Sequence, residues 1–329
     1  MKNDFAEILE KFADVAVLVV GDLMLDRYFW GSVERISPEA PVPIVKVART
    51  TLTAGGAANV AANVAGLGAK VYLVAAVGAD ADGLQVPEIL RQSNVAPENL
   101  IEVRNRPTTL KTRVVAHSQH VVRIDQETAE NLSPEDESRA WALIERIIAE
   151  VTVIIVSDYA KGFLSDNLLM RLITSARETG KILMVDPKGR DYRKYRGATI
   201  ITPNKKEAAE AAGDDEQSPE IVARAGAKLL AELQLDAVLI TQGEGGMTLF
   251  EKSHAPTHFA SQARHVYDVT GAGDTVIAAL AVAAAAGADL KRAAQIANAA
   301  AGFVVEQVGT TSVTRAQLEN HFAVRRNQT

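Results

Sequence analysis

The sequence predicts an α/β protein: a doubly wound, mainly parallel sheet with helices on both faces and a small β-sheet lid standing off it. Three observations predict it. Short apolar runs of strand length alternate with longer segments of helical period, the rhythm of βαβ units. Those runs end repeatedly in polar groups, at Gly21-Asp22, Ser157-Asp158-Tyr159-Ala160-Lys161, Asp186-Pro187-Lys188 and Thr202-Pro203-Asn204, and in such a sheet these ends converge on one rim. Two stretches, 28–53 and 108–124, interrupt the rhythm with strand-like residues. One domain over 1–329 is expected, with these stretches as its insert.

Taken in order, the continuous apolar run 15–20 follows an acidic amphipathic segment and ends at Gly21-Asp22. It reads as a buried parallel strand, with Asp22 and Asp26 at the ligand-binding rim just beyond it. Carboxylates there accept hydrogen bonds from sugar hydroxyls, and both also suit ordinary loop or cap positions. In 28–53, Pro38, Pro41 and Pro43 exclude a helix, while Val42, Ile44, Val45 and Val47 are strand formers. Segment 108–124 holds two strands' worth of residues around His117-Ser118-Gln119-His120. The two form a small sheet that serves as a lid or a dimer surface, packed by Phe29 and Trp30.

Ala54-Gly55-Gly56-Ala57-Ala58-Asn59 leads into an Ala-rich helix ending near Gly68. Paired glycines allow close backbone approach, and Asn59 offers a donor and an acceptor to a polyol. Close helix packing accounts for Ala57 and Ala58 without a ligand. Strand 71–77, helices 81–92 and 134–150, strand 153–156, helix 166–179 and strands 182–185 and 199–201 follow. Asn204 and Glu207 then stand three apart at a helix start, on one face. That spacing suits a hydrated Mg²⁺ and equally a capping box. Strand 238–241, the turn Gln242-Gly243-Glu244-Gly245-Gly246 and strand 247–250 make a hairpin. Ala-rich helices 274–286 and 290–305 and a last helix, 314–322, complete the chain.

The stretch Asp268-Val269-Thr270-Gly271-Ala272-Gly273-Asp274 runs into the first of those helices. Gly271, Ala272 and Gly273 let the backbone crowd a ligand, and a helix start offers free N–H groups and roughly +0.5 of charge to a phosphate. A carboxylate at Asp274 would repel that phosphate. Its presence fits a general base for a hydroxyl nucleophile, a role worth on the order of 10²–10⁴-fold in rate. A tight turn with Asp274 as cap explains the string equally well.

Composition narrows the classes. With 47% hydrophobic residues the chain can bury a substantial core. Lys+Arg 35 against Asp+Glu 41 gives −6 without long like-charge blocks, which argues against nucleic-acid and membrane-surface partners. There is no cysteine, which suits a reducing, cytoplasmic setting. Met1-Lys2-Asn3-Asp4-Phe5-Ala6-Glu7 does not read as a signal peptide, and the longest apolar run, 278–286, falls far short of the roughly 20 residues of a membrane span. No G-x-x-x-x-G-K-[ST] string occurs and no G-x-G-x-x-G follows the first strand, so neither a P-loop kinase nor a dinucleotide oxidoreductase is expected. His254 and His258 flank Pro256, which breaks the helix a zinc pair would need.

The string 268–274 resembles the Asp-Thr-x-Gly-Ala-Gly-Asp signature of the ribokinase family of sugar kinases, with Val269 where Thr is usual. Gly21-Asp22, Gly55-Gly56-Ala-Ala-Asn59, Asn204-x-x-Glu207, Thr241-Gln-Gly243 and the Ala-rich Asn298 segment occur in that family's order. The resemblance implies a ribokinase-like fold and phosphoryl transfer from ATP with Mg²⁺, and it allows a monovalent cation such as K⁺. Asp274 would be the base, and the N–H groups of Gly271, Ala272, Gly273 and Asp274 the anion hole. Asp22, Asp26, Gly55, Gly56 and Asn59 would bind the sugar; Asn204 and Glu207 would organise Mg²⁺; Asn204, Thr241, Gly243 and Asn298 would touch ATP.

Within the family, Gly21-Asp22-Leu-Met-Leu-Asp26-Arg27-Tyr28, Arg35-Ile-Ser-Pro-Glu-Ala-Pro-Val-Pro-Ile44, Thr109-Leu-Lys111-Thr-Arg113 and Ser157-Asp-Tyr-Ala-Lys161-Gly162 resemble the heptose-phosphorylating branch. That implies a substrate already carrying a phosphate, for which Arg113, Lys161 and Lys188 are the cations expected. The insert formed by 28–53 and 108–124 is further expected to join two copies into a homodimer through the β-lid. In many bacteria that kinase precedes a nucleotidyltransferase domain, and a chain ending at Thr329 is expected to hold the kinase half alone.

Overall fold

The apolar run 15–20 becomes an interior strand, third from one edge of a nine-stranded sheet, in this computed structural model, which describes residues 4–326 apart from 118, 264, 265, 308 and 310. The readings at Met1, Lys2, Asn3, Ser118 and Thr329 lie outside the described residues. In chain order the strands are β1 (Ala16–Gly21), β2 (Leu23–Ile36), β3 (Pro43–Gly56), β4 (Lys70–Gly78), β5 (Leu100–Val103), β6 (Leu110–Ala116) and β7 (Gln119–Gln126). Then come β8 (Val153–Ser157), β9 (Ile182–Asp186), β10 (Ile200–Ile201), β11 (Ala237–Thr241), β12 (Met247–Glu251) and β13 (Thr257–Phe259). The helices are α1 (Asp4–Glu10), α2 (Ala57–Gly66), α3 (Val86–Gln92), α4 (Pro134–Ile148) and α5 (Asp166–Glu178). They continue as α6 (Lys205–Ala212), α7 (Ile221–Glu232), α8 (Ala272–Ala285), α9 (Leu290–Val305) and α10 (Arg315–Arg326).

The large sheet runs β13-β12-β11-β10-β9-β8-β1-β4-β5, parallel except where β12 pairs with β11 and β13. Alternate residues of β1 serve opposite faces, as the period of a strand requires. Val17 and Val19 join the core under α2, α8 and α9, while Leu18 and Val20 join the one under α4 and α5. The doubly wound α/β expectation holds. Helix α8 is buried from Asp274 to Ala284, and its alanines let α2, α9 and the sheet close around it. Among the described residues no helix is long and apolar enough to cross a membrane.

A second sheet of four strands, β3-β2-β6-β7, stands on the rim. It starts earlier and ends later than 28–53, because the β2/β3 ladder continues through Leu23↔Gly56, Met24↔Gly55 and Leu25↔Ala54. Gly55, Gly56 and Ala54 are poor strand formers, so the root of the sheet is hidden in the sequence. Only Asp22 separates β1 from β2, and nothing separates β3 from α2. Ala57 N–H donates to the Asp22 carbonyl at 3.0 Å and closes that root.

Other departures have local causes. The helix expected over 81–92 shrinks to α3, because Asp80 takes the Gly83 N–H at 2.7 Å and folds the preceding residues into a turn. Strands β5 and β13 are short edges of four and three residues that carry no clear alternation. Helix α7 has a buried stripe at Ile221, Ala225 and Leu229, masked in the sequence by Gly226, where a Cβ would stand 2.4 Å from the Phe250 ring.

Candidate active site

Asp274 lies in the first turn of α8, behind Gly271, whose φ of 78° is the left-handed turn that glycine adopts freely. The first helical bond runs from Thr275 N–H to the Gly271 carbonyl, so the N–H groups of Gly273 and Asp274 precede it. Ala272 spends its N–H on the Val269 carbonyl at 3.2 Å. Asp268 pins the loop, its carboxylate accepting from Thr270 N–H at 2.9 Å and Gly309 N–H at 3.0 Å.

The Asp274 carboxylate is 3% exposed and held at both oxygens. Asn59 Nδ2 donates to Oδ2 and the Tyr159 hydroxyl donates to Oδ1, each at 2.7 Å. Burial raises its pKa from 3.8 to about 6, against the lowering effect of these two donors, and Asp26 adds a smaller push upward. Asn59 is itself braced. Asn63, one turn on, donates to the Asn59 carbonyl at 2.9 Å and accepts from Thr275 Oγ1 at 2.9 Å, which ties α2 to α8.

Asp22 is stitched into the protein: Oδ2 accepts from Tyr159 N–H at 2.9 Å and Lys161 N–H at 3.0 Å, and Oδ1 from Phe163 N–H at 3.1 Å. Burial raises its pKa despite these donors. Asp26 lies within β2 rather than in a loop, on the same face as Tyr28, and pairs with Arg113 of β6. Burial raises the Asp26 pKa more than Arg113 lowers it. Gly55 leaves room for that pair, since a Cβ there would stand 2.5 Å from Asp26 Oδ2. At Gly56, with φ 55°, a Cβ would meet the Asp22 carbonyl at 2.5 Å.

The three expected phosphate cations do not form one group. Arg113 and Lys161 lie on the small-sheet side, where Lys161 pairs with Glu127 at 2.7 Å. Lys111 joins them there, bonded to Glu127 at 3.0 Å and Asp125 at 3.2 Å. Lys188 instead follows β9 and pairs with Glu207 at 2.6 Å, beside Asn204. Sequence reasoning passed over Tyr159 as a site residue, along with Asn63, Thr275 and Lys111. Tyr159 stood in a string already singled out, but nothing local showed which way its hydroxyl would face.

Asn204 and Glu207 form the capping box that their spacing allowed: Glu207 N–H donates to Asn204 Oδ1 at 2.9 Å, and Asn204 N–H to Glu207 Oε2 at 3.1 Å. Asn204 also bridges to Thr241, and Gly243 follows with φ 57°. Asn298, 4% exposed on α9, holds the Ala260 carbonyl at 2.8 Å. Nearby Asp186 is half-buried at the end of β9, and desolvation together with Asp274 and Glu207 holds its pKa well above the usual range. Among the described residues no group of three or more His, Cys, Asp or Glu side chains could cage a metal. The oxygens of Asn204 and Glu207, side by side at the start of α6, are the kind of donors that a largely hydrated Mg²⁺ takes from a protein.

The sheet and its polar rim are those of an α/β enzyme, and the family comparison gives the class, a phosphotransferase acting on a sugar. The model of the pfkB family of carbohydrate kinases matches residues 15–317, and the chain belongs to that family. It is 46% identical over 94% of its length to the bifunctional protein HldE of Desulfatibacillum aliphaticivorans, and 46% identical over 97% to that of Caulobacter vibrioides. The chain spans 63% and 65% of those relatives' lengths. In fold it is similar to Arabidopsis thaliana ribokinase complexed with ribose and ATP, with TM-score 0.76 and 23% identity over 94% of this chain and 98% of that one. Phosphofructokinase-2 of Escherichia coli with substrates and products gives 0.77 and 19% over 94% and 98%.

Proposed function

We propose that the chain phosphorylates D-glycero-D-manno-heptose 7-phosphate at its anomeric hydroxyl, giving the 1,7-bisphosphate on the route to ADP-heptose for the lipopolysaccharide inner core. The observation that carries the chemistry is Asp274, buried and held at both oxygens at the start of α8. Asp274 takes the anomeric proton, the sugar oxygen attacks the γ-phosphorus of ATP, and ADP leaves. The N–H groups of Gly273 and Asp274 face the charge on the transferring group. Phosphoryl transfer needs mainly positioning and charge neutralisation, which a site gathered from several strand ends supplies. Glu207 and Asn204 would hold Mg²⁺ and its waters, and the ion would offset phosphate charge when bound. Thr241, Gly243 and Asn298 line the nucleotide end, and Asp26, Gly55 and Asn59 the sugar end.

The substrate assignment rests on the heptose-branch strings, on the HldE relatives and on Arg113, Lys111 and Lys161 gathered at the sugar end. Lys188, paired with Glu207, belongs in this reading to the nucleotide phosphates. A second reading, a kinase for a neutral sugar, is favoured by one observation: Arg113 and Lys161 are already compensated by Asp26 and Glu127. Use of ATP fits a cytoplasmic location. The test is ATP consumption with Mg²⁺ against heptose 7-phosphate, ribose, fructose 6-phosphate and adenosine. Turnover with heptose 7-phosphate alone is expected; a neutral sugar turned over best would select the second reading, and no turnover would point to a non-catalytic sensor.

A further inference from the structure

Loop 158–163 is held more firmly than its length requires. Asp22 binds three of its N–H groups, and Asp158 accepts from Ala160 N–H at 2.7 Å, Lys194 Nζ at 2.7 Å and the Tyr195 hydroxyl at 2.6 Å. Ala160 is kept at φ 54°, a left-handed conformation that a side chain rarely adopts. The product of this clamping is the position of one group. The Tyr159 hydroxyl reaches Asp274 Oδ1 from the side of the sheet end, while Asn59 reaches Oδ2 from α2.

We propose that Tyr159 is a positioning residue for phosphoryl transfer, holding Asp274 Oδ1 through its hydroxyl, and that Asp22 acts on the reaction by fixing the loop that carries Tyr159. The inference rests on Asp274 being the base. The last torsion of an aspartate is broad and nearly two-fold, so an unheld carboxylate swings. One donor on each oxygen, from two different elements, fixes its plane and leaves further lone pairs for the sugar hydroxyl. Bases act through geometry first, and a misplacement of about 1 Å costs up to ~100-fold. The titratable groups facing Asp274 are Asp26 of β2, paired with Arg113, Asp186 of β9, and Tyr159 itself. Lys188 and Glu207 lie beyond Asp186. Burial and the surrounding carboxylates keep the Tyr159 hydroxyl protonated, so it remains a donor.

Tyr159→Phe keeps the ring and removes only the donor. With ATP, Mg²⁺ and heptose 7-phosphate, kcat on the pH plateau should fall on the order of 10-fold with little change in KM for ATP. The acid limb of kcat/KM should move up by about one pH unit, the equivalent of one hydrogen bond to a charged group. The ¹³C carboxyl titration of Asp274 reads the same shift without turnover. Asp22→Asn should move the limb in the same direction, and the double variant no further than Tyr159→Phe alone, the non-additivity of residues acting in series. An unmoved limb and carboxyl titration in Tyr159→Phe, with Asp274→Asn inactive, overturn the inference and leave the proposed base intact. An active Asp274→Asn removes the base assignment instead.

Discussion

Asn59 and Asp274 are 215 residues apart in the chain and joined by a 2.7 Å hydrogen bond from Asn59 Nδ2 to Asp274 Oδ2. In the proposed reaction Asn59 serves as a donor that holds the base. Asn59→Asp keeps the shape and puts a second carboxyl against the first, and two such groups share one proton. Activity at neutral pH should fall on the order of 100-fold, within the range for losing a general base, and recover partly as pH rises. Wild-type activity at neutral pH in this variant would mean that Asp274 does not work as a base.

The wild-type pH profile follows from the same site. A base must be ionised, and burial sets the Asp274 pKa at about 6. The kcat/KM of the free enzyme should therefore be flat above that value and fall tenfold per pH unit below it. A limb near 4 would mean that Asp274 ionises like an exposed carboxylate.

If Asp274 is the base, as proposed, its readiness to accept a proton works against stability. The folded pKa of Asp274 lies above its ordinary 3.8, so the folded state binds the proton more tightly, and stability is lost as pH rises from 3.8 to about 6. The full effect persists above that window and amounts to at most about 3 kcal/mol. Asp274→Asn, which cannot ionise, should abolish most turnover yet unfold at a higher temperature than wild type near neutral pH, with the difference vanishing at about pH 4. Equal melting temperatures across that range would contradict the burial argument.

The periodicities behind β1, β8, β9, α5 and α9 were legible because each is long or uniformly apolar. The base of the small sheet was not, since Gly55 and Gly56 are strand residues only by virtue of their partners Met24 and Leu23. The same limit applies to the site. Asp274, Asn59 and Glu207 are singled out as candidates by the family resemblance of their strings, residue type and spacing alone leaving caps and packing open, whereas the occupancy of Asp22 by three backbone N–H groups is a tertiary fact. Ion pairing separated Lys188 from Lys161 and Arg113, which look alike as cations on strand-end loops.

Gly55→Ala tests the packing at the root of the lid. The added Cβ would stand 2.5 Å from Asp26 Oδ2 and 2.9 Å from Met24 Cγ, so Asp26 must turn away from Arg113. Overpacking of this kind destabilises by about 1–3 kcal/mol. In the proposed enzyme KM for the sugar should rise on the order of 10-fold, as for one lost charge-assisted contact, while KM for ATP stays put. A rise in both would assign Gly55 to the fold alone.

The small sheet also carries an unpartnered apolar strip. Every residue of β7 is exposed, and Val122 and Ile124, two apart and so on one face, are 48% and 57% exposed. Val122 lies opposite Val114, which is paired in turn with Phe29. Arg113 and Asp26 occupy the other face, so this strip looks away from the proposed sugar site. We propose that a second copy covers it, as the lid-or-dimer reading of this insert expects, which would also tie lid position to assembly. The protein should sediment as a dimer at micromolar concentration, and Val122→Lys with Ile124→Lys should yield a folded monomer. If the lid needs its partner copy to hold its shape, that monomer should show a raised KM for the sugar with ATP binding retained. A wild-type monomer at micromolar concentration would leave the strip without its proposed partner.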